Sequence, residues 1–269
     1  MHLQHGNDAF HTMKKLNFSD EKKNVICFGA GVQSTAICLL IFDNKIKLKK
    51  ENTYFLFVDA GAEHAETYAH EKIIFQLAKK NGYKYTKLTP QENPEYFRSH
   101  IEGRNIYQYY YDNGWLPLPS SRACTVEYKD IPTRRFCMAV SGAKRKYKQI
   151  VRKFFGISAD ERHRATGWRR KWNAYPLIDW NLTREQCQNI CLHYLGYKVR
   201  KSACFICPLT PHRDILAMYK TEPHLFAKCV ELEKRKQIKY PKSPATLWHK
   251  TPACALIKKL QIQQTLTSF

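Results

Sequence analysis

Val25-Ile26-Cys27-Phe28-Gly29-Ala30-Gly31-Val32-Gln33-Ser34 is the stretch on which the reading of the fold turns. An apolar run ends in a glycine pair and passes into a second apolar segment, Thr35 to Phe42, of helical length. That order predicts a strand, a tight turn and a helix. Glycine lets the backbone approach an anion closely, and Ser34 opens a helix whose first N–H groups and positive dipole end attract phosphate. Glycine can also serve turn geometry alone. A second strand shifts the balance: Tyr54-Phe55-Leu56-Phe57-Val58 runs into Asp59-Ala60-Gly61, and Glu66-Thr67-Tyr68 follows. In open parallel sheets ligands sit beyond the carboxyl ends of the strands, where both motifs fall.

Outward from this core the chain alternates β and α. Strands are expected at 24–28, 53–59, 84–89, 154–159 and near 175–178, with helices near 34–43, 66–81, 132–150 and 183–195. Ala69, Ile73 and Leu77 recur at i, i+4 and i+8, which predicts the buried stripe of the second helix. Pro132 suits the first turn of its helix, where a missing N–H costs nothing. The second strand shows no polar alternation, as expected when helices cover both faces of a parallel sheet. The expected class is therefore α/β, a doubly wound, mostly parallel sheet with a C-terminal helical appendage. Its organisation reads as a polar N-terminal extension (1–22), a nucleotide-binding domain (23–208) and a basic appendage (209–269). Within that appendage Thr221-Glu222-Pro223 starts a charged helix to about residue 236, and a proline-bearing loop leads on to Trp248-His249.

The spacing D-x-G-x-x-x-x-E-T-Y of Asp59, Gly61, Glu66, Thr67 and Tyr68 resembles the phosphoadenylylsulfate (PAPS) and adenylylsulfate reductases of the PP-loop, or adenine nucleotide alpha hydrolase-like, superfamily. Arg122-Ala123-Cys124-Thr125, leading to Lys129 and Pro132, is similar to that family's paired-cysteine motif. Gly156-Ile157-Ser158-Ala159-Asp160-Glu161 resembles its nucleotide-contacting strand end, and Tyr175 to Trp180 its P-I-x-D-W run into a helix. Cys204-x-x-Cys207 stands where its second cluster pair stands, so the resemblance covers most of residues 24–208. It implies nucleotide contacts at Phe28, Gly29, Ala30, Gly31, Gln33, Ser34, Asp59, Gly61, Gly156 and Glu161, with Asp59 and Lys129 in catalytic roles. ATP or a sulfonucleotide, with Mg2+, is the implied ligand.

Two departures matter. The superfamily's S-G-G-x-D-S loop becomes Gly29-Ala30-Gly31-Val32-Gln33-Ser34, which weakens a direct inference of ATP pyrophosphatase chemistry. The family's adjacent cysteines become Cys124-Thr125, leaving Cys124, Cys204 and Cys207 as metal ligands. A 4Fe-4S cluster with one open iron, a closed site completed by His212 or Cys191, and a Cys3His zinc site all remain open.

Ten cysteines without a secretory signal argue for reduced thiols. Cys27, Cys38, Cys137, Cys187 and Cys191 lie in apolar settings and read as small buried hydrophobes. No apolar run approaches the ~20 residues of a membrane span. The polar N-terminus reads as neither signal peptide nor anchor, so a cytoplasmic protein is expected.

The formal charge of +22, from 45 Lys and Arg against 23 acids, exceeds what a small nucleotide needs. Lys144, Arg145 and Lys146, and the run containing Arg162 and Arg164, would hold a phosphate backbone, which points to tRNA or DNA as substrate. Tyr107, Tyr109, Tyr110, Tyr111 and Trp115 offer candidate stacking surfaces. Solvated basic faces and a packed aromatic insert are the alternatives. Three functions are weighed. One is adenylation of a nucleic acid followed by sulfur transfer from the three-cysteine centre. Another is a sulfonucleotide reductase, disfavoured because Pro252-Ala253-Cys254-Ala255 lacks that family's E-C-G motif. The third is a non-catalytic nucleotide-binding subunit. The sequence names neither the sulfur donor or reductant nor the oligomeric state, a homodimer being one option.

Overall fold

The structure, a computed structural model, describes residues 13–143, 147–165, 172–248 and 251–259. In chain order its strands are β1 (Leu16–Phe18), β2 (Lys23–Phe28), β3 (Ile46–Leu48), β4 (Thr53–Val58), β5 (Lys84–Leu88), β6 (Val151–Phe155) and β7 (Asn173–Ala174). Its longer helices are α1 (Val32–Phe42), α2 (Ala65–Lys80), α3 (Ile106–Asn113), α4 (Ile131–Ser141), α5 (Arg184–Leu195), α6 (His212–Thr221) and α7 (Pro223–Lys239). The chain divides into two compact units. One takes Met1–Val58, Ala65–Leu88 and Thr133–Ser202; the other takes Asp59–His64, Thr89–Pro132 and Ala203–Phe269.

The first unit is α/β. Five parallel strands run in the order β5-β4-β2-β6-β7, and β1 pairs with β3 in a small parallel sheet. From β2 the chain winds one way through β4 to β5, then returns to the other side of β2 for β6 and β7. The order therefore reverses between β2 and β6, the kind of crevice in which ligands of open parallel sheets bind. β4 is buried along nearly its whole length, as its unbroken apolar run predicts. Helix α1 is buried on nearly every side and packs against α5, which explains why its sequence lacks a polar face.

Four expectations need correction. The buried stripe of α2 is Thr67, His70, Glu71, Ile74 and Ala78, while Ile73 is exposed. Polar side chains displace apolar ones from that face because they find partners. His70 bonds Thr35 and Tyr197 through its two ring nitrogens, each at 2.8 Å, and Glu71 accepts the Tyr85 hydroxyl at 2.7 Å. Strand β6 starts earlier than its apolar core suggests. Arg152 is held by Asp20 and by Asn24 Oδ1, and Lys153 lies over the Phe155 ring, so both charges fit a strand. Near 175–178 there is a short helix, Pro176–Asp179, with proline in its first turn, and the strand is only Asn173–Ala174. The helix expected over 132–150 ends at Ser141, where Gly142 turns left-handed (φ 68°), and Tyr147–Ile150 forms a separate turn.

In the second unit α6 packs on α7. Asn105 caps α3 by accepting the Gln108 N–H at 2.8 Å, and Gly114 ends that helix in the left-handed region. Buried Glu233 on α7 accepts the N–H groups of Leu247 at 2.7 Å and Ala253 at 2.8 Å, fastening the loop that carries Trp248. Trp248 is fully buried and stacks near Phe226. The tyrosines of α3 are largely consumed by packing. Tyr107 stacks on Tyr111, and Tyr109 meets Tyr110, Trp115 and Tyr128 edge-on, so Trp115 is the exposed ring of the insert.

Candidate functional site

The Gly29–Ser34 loop follows the carboxyl end of β2, beside the point where the strand order reverses. Ala30 takes a left-handed conformation (φ 54°) although it is not glycine, a local cost of about 1–2 kcal/mol that tight loops at functional sites often carry. That twist turns two backbone donors inward. Gly29 N–H and Gly31 N–H both donate to Ser34 Oγ at 3.3 Å, and the hydroxyl donates back to the Gly31 carbonyl at 3.0 Å. Donors converging on one oxygen at a helix N-terminus form an anion-binding concavity. Phe28 itself turns into the core against Phe57 and His70.

The end of β6 meets this loop. Gln33 Nε2 donates to Glu161 Oε2 at 3.2 Å and Ser158 Oγ at 3.4 Å, and Glu161 also pairs with Arg164 at 2.8 Å. A Cβ on Gly156 would lie 2.5 Å from the Ser34 nitrogen, so backbone contact alone demands glycine there. Gly29 differs: an added Cβ would meet nothing within 4 Å. At Gly31 it would approach Ser202 Oγ at 3.1 Å. Arg162, exposed, donates to Asn181 at 3.2 Å; Lys144, Arg145 and Lys146 lie outside the described residues.

The second unit gathers the other predicted residues. Asp59 is buried and accepts the Gly61 N–H at 2.7 Å, closing its own turn. Gly61 is left-handed (φ 76°), and a Cβ there would lie 2.5 Å from Asn105 Cβ, so packing requires that glycine too. Cys124 lies two residues after Arg122, another non-glycine residue in the left-handed region (φ 47°). The chain then passes through a π-helical turn, Val126–Asp130, a distortion frequent at functional sites, which presents Lys129. Lys129 Nζ donates to buried Glu63 Oε1 at 3.1 Å. Burial alone would push this ammonium down, but the Glu63 carboxylate overrides it and holds Lys129 above its usual value, with Cys204 and Asp59 adding to the effect.

Glu63 also bridges Cys204 through the backbone, and the Cys207 N–H donates to the Cys204 carbonyl at 2.9 Å, folding C-x-x-C into a turn. Burial pushes the Cys204 thiol far up, and Glu63, Cys207 and Cys124 act in the same direction. Burial likewise raises the Tyr110 phenol, with Cys124 and Cys204 among its electrostatic neighbours. The three predicted cysteines thus share a neighbourhood. Among the described residues, however, no group of three or more His, Cys, Asp or Glu side chains converges as a metal-holding set. Trp248 Nε1 donates to the Cys207 carbonyl at 2.9 Å, which ties the Glu233-fastened loop to this turn.

Sequence reasoning did not single out Glu63, Glu233 or the His64–Glu222 pair, at 2.6 Å. Glu63 lies two residues after Gly61, but only the contact with Lys129 marks it. Of the other candidate ligands, His212 is exposed at the start of α6. Cys191 is buried in the first unit's core, where its thiol donates to the Val32 carbonyl at 3.5 Å. Burial pushes Cys137, Cys187 and Cys191 up to about 12, the behaviour of inert packed thiols. None of the ten cysteines forms a disulfide. No helix among the described residues is long and apolar enough to cross a membrane. Comparison with known proteins gave no matching family model and no matching curated protein.

Proposed function

We propose that this chain is an adenine-nucleotide-dependent enzyme of the PP-loop, PAPS reductase-like class, cytoplasmic, which adenylates a nucleic acid for sulfur transfer. The observation that carries the reading is the pair of N–H donors, Gly29 and Gly31, converging on one oxygen position at the start of α1 where the strand order reverses. ATP phosphates would take that position and displace the Ser34 hydroxyl. The resemblance gives Asp59 the role of organising Mg2+ and gives Lys129, which is paired with Glu63, a catalytic role. A substrate carbonyl oxygen attacks the α-phosphorus and pyrophosphate leaves; sulfur then attacks the activated carbon and AMP leaves. Cys124, Cys204 and Cys207 are the thiols suited by their chemistry to hold an iron–sulfur centre, and their shared neighbourhood supports that assignment although they do not converge on one point. When bound, such a centre would supply sulfur in nucleophilic form at neutral pH; zinc is the other metal that this donor set suits.

The test is anaerobic turnover with ATP, sulfide and a tRNA or DNA pool. AMP and pyrophosphate release should rise with the nucleic acid. Asp59→Ala should stop adenylation, whereas Cys204→Ala should spare it and block sulfur incorporation. Metal and acid-labile sulfide analysis of the same preparation separates cluster from zinc. Reduction of a sulfonucleotide to sulfite, without nucleic-acid-stimulated AMP release, would overturn the reading in favour of a reductase. Stoichiometric nucleotide binding without turnover would instead favour a non-catalytic subunit.

A further inference from the structure

A second concavity lies in the first unit at the opposite end of the sheet from the Gly29–Ser34 loop. It has a volume of about 290 Å³ and is bordered by Lys22, before β2, by Val151 and Arg152 at the start of β6, and by Asn173 at the start of β7. Phe18, Lys148, Trp172 and Asp179 also line it. Nothing in the proposed reaction uses this end of the sheet.

The lining combines three cations, Lys22, Lys148 and Arg152, with one carboxylate, Asp179, and with aromatic rings. Arg152 is pre-positioned. Asp20 and Asn24 Oδ1 hold its guanidinium, which lies 4.9 Å over the Phe18 ring, so its orientation is fixed before any ligand arrives. Asp20 offsets part of that charge and acts on Lys22 as well, and Lys148 adds a third cation to the lining. Trp172 is half-buried and lines the wall. Charge beside an aromatic plane is the pairing that receives a phosphate and a base together, because every base has a stacking face and every nucleotide an anion. The volume lies at the lower bound for small-ligand sites, enough for one small ligand and too little for a duplex.

We propose that this concavity binds a single nucleotide unit, its base against Trp172 and its phosphate toward Lys22, Lys148 and Arg152. The unit could be a residue of single-stranded nucleic acid or a free nucleoside monophosphate, and the same chemistry recognises both. The inference deepens the nucleic-acid part of the proposed function, yet it concerns a site apart from the ATP loop, so each can fail alone.

The experiment measures binding of a labelled oligothymidylate and of AMP to the full chain, with ATP binding measured in parallel. Trp172→Ala should weaken oligothymidylate binding about tenfold or more, and Trp172→Phe should retain most of it, because a phenyl ring still stacks. Lys22→Ala should lower the slope of log K against log salt by roughly 0.7. ATP binding should be unchanged in all three variants. Displacement of the oligonucleotide by AMP in the Gly29→Val variant would assign the pocket to free mononucleotides, and resistance to AMP would assign it to the polymer. Wild-type affinity for both probes in Trp172→Ala, or an unaltered salt slope in Lys22→Ala, would overturn the proposal. Loss of ATP binding in the wild-type protein would instead count against the proposed function and leave this site standing.

Discussion

The Gly29–Ser34 loop and the Glu63–Lys129 neighbourhood solve the problem of holding charge in opposite ways. At the loop the charge-binding groups are backbone N–H donors, aimed by a left-handed Ala30 and by the start of α1. In the second unit they are side chains, a buried carboxylate and an ammonium far apart in sequence. Backbone donors are removed only by proline, but they can be blocked by an added side chain. Paired side-chain charges can be removed one at a time, and each removal takes the counter-ion from the other. The two regions should therefore respond differently to substitution.

The largest effect is expected where a buried charge loses its counter-ion. Lys129→Met leaves Glu63, whose side chain is 4 % exposed, without its lysine partner. Breaking buried pairs costs 3–5 kcal/mol, and because Lys129 is a third exposed we expect about 3 kcal/mol in urea unfolding. The double variant Glu63→Gln with Lys129→Met should recover most of the loss. If it does not, the pair is not what Lys129 contributes.

At the loop, glycine substitutions should split. Gly156→Ala drives a methyl group into the backbone of Gln33 and Ser34 and should cost about 2 kcal/mol or more. Gly29→Ala, with open space around its Cβ, should change stability by less than about 0.5 kcal/mol. Equal losses at both positions would mean that the loop is a packed turn rather than an open cradle.

A third test uses pH. Burial lowers His70 from its usual 6.5 to about 4, so the folded protein keeps it neutral while the unfolded chain takes up a proton below 6.5. Stability from this group is complete above pH 6.5 and falls as pH drops toward 4. Between pH 7 and pH 5 the loss should be about 2 kcal/mol. His70→Gln should remove that part of the pH dependence, as judged by urea midpoints at the two pH values.

What the sequence made legible follows from the same contrast. The loop, β4 and the parallel sheet were readable because glycine spacing and unbroken apolar runs are local signals. The buried face of α2 was not, since His70 and Glu71 count as surface residues until Thr35, Tyr197 and Tyr85 are seen beside them. Gly156 and Gly61 illustrate a subtler point. Their motif spacing resembles that of nucleotide contacts, yet their lack of a side chain is already required by Ser34 and Asn105. Cys204 and Cys207 stood out by spacing, whereas Glu233 and Trp248, which brace Cys207, are separated from it by a helix and a loop and left no local trace.

The central claim, that the Gly29–Ser34 loop receives nucleotide phosphate, is tested most directly by calorimetric titration of ATP into wild-type protein and Gly29→Val. Gly29 is the position of choice because a Cβ there meets no protein atom within 4 Å, whereas at Gly31 it would press on Ser202. The account predicts saturable ATP binding by the wild type, abolished in Gly29→Val while the unfolding midpoint stays unchanged. ATP binding of equal affinity in both proteins would contradict it.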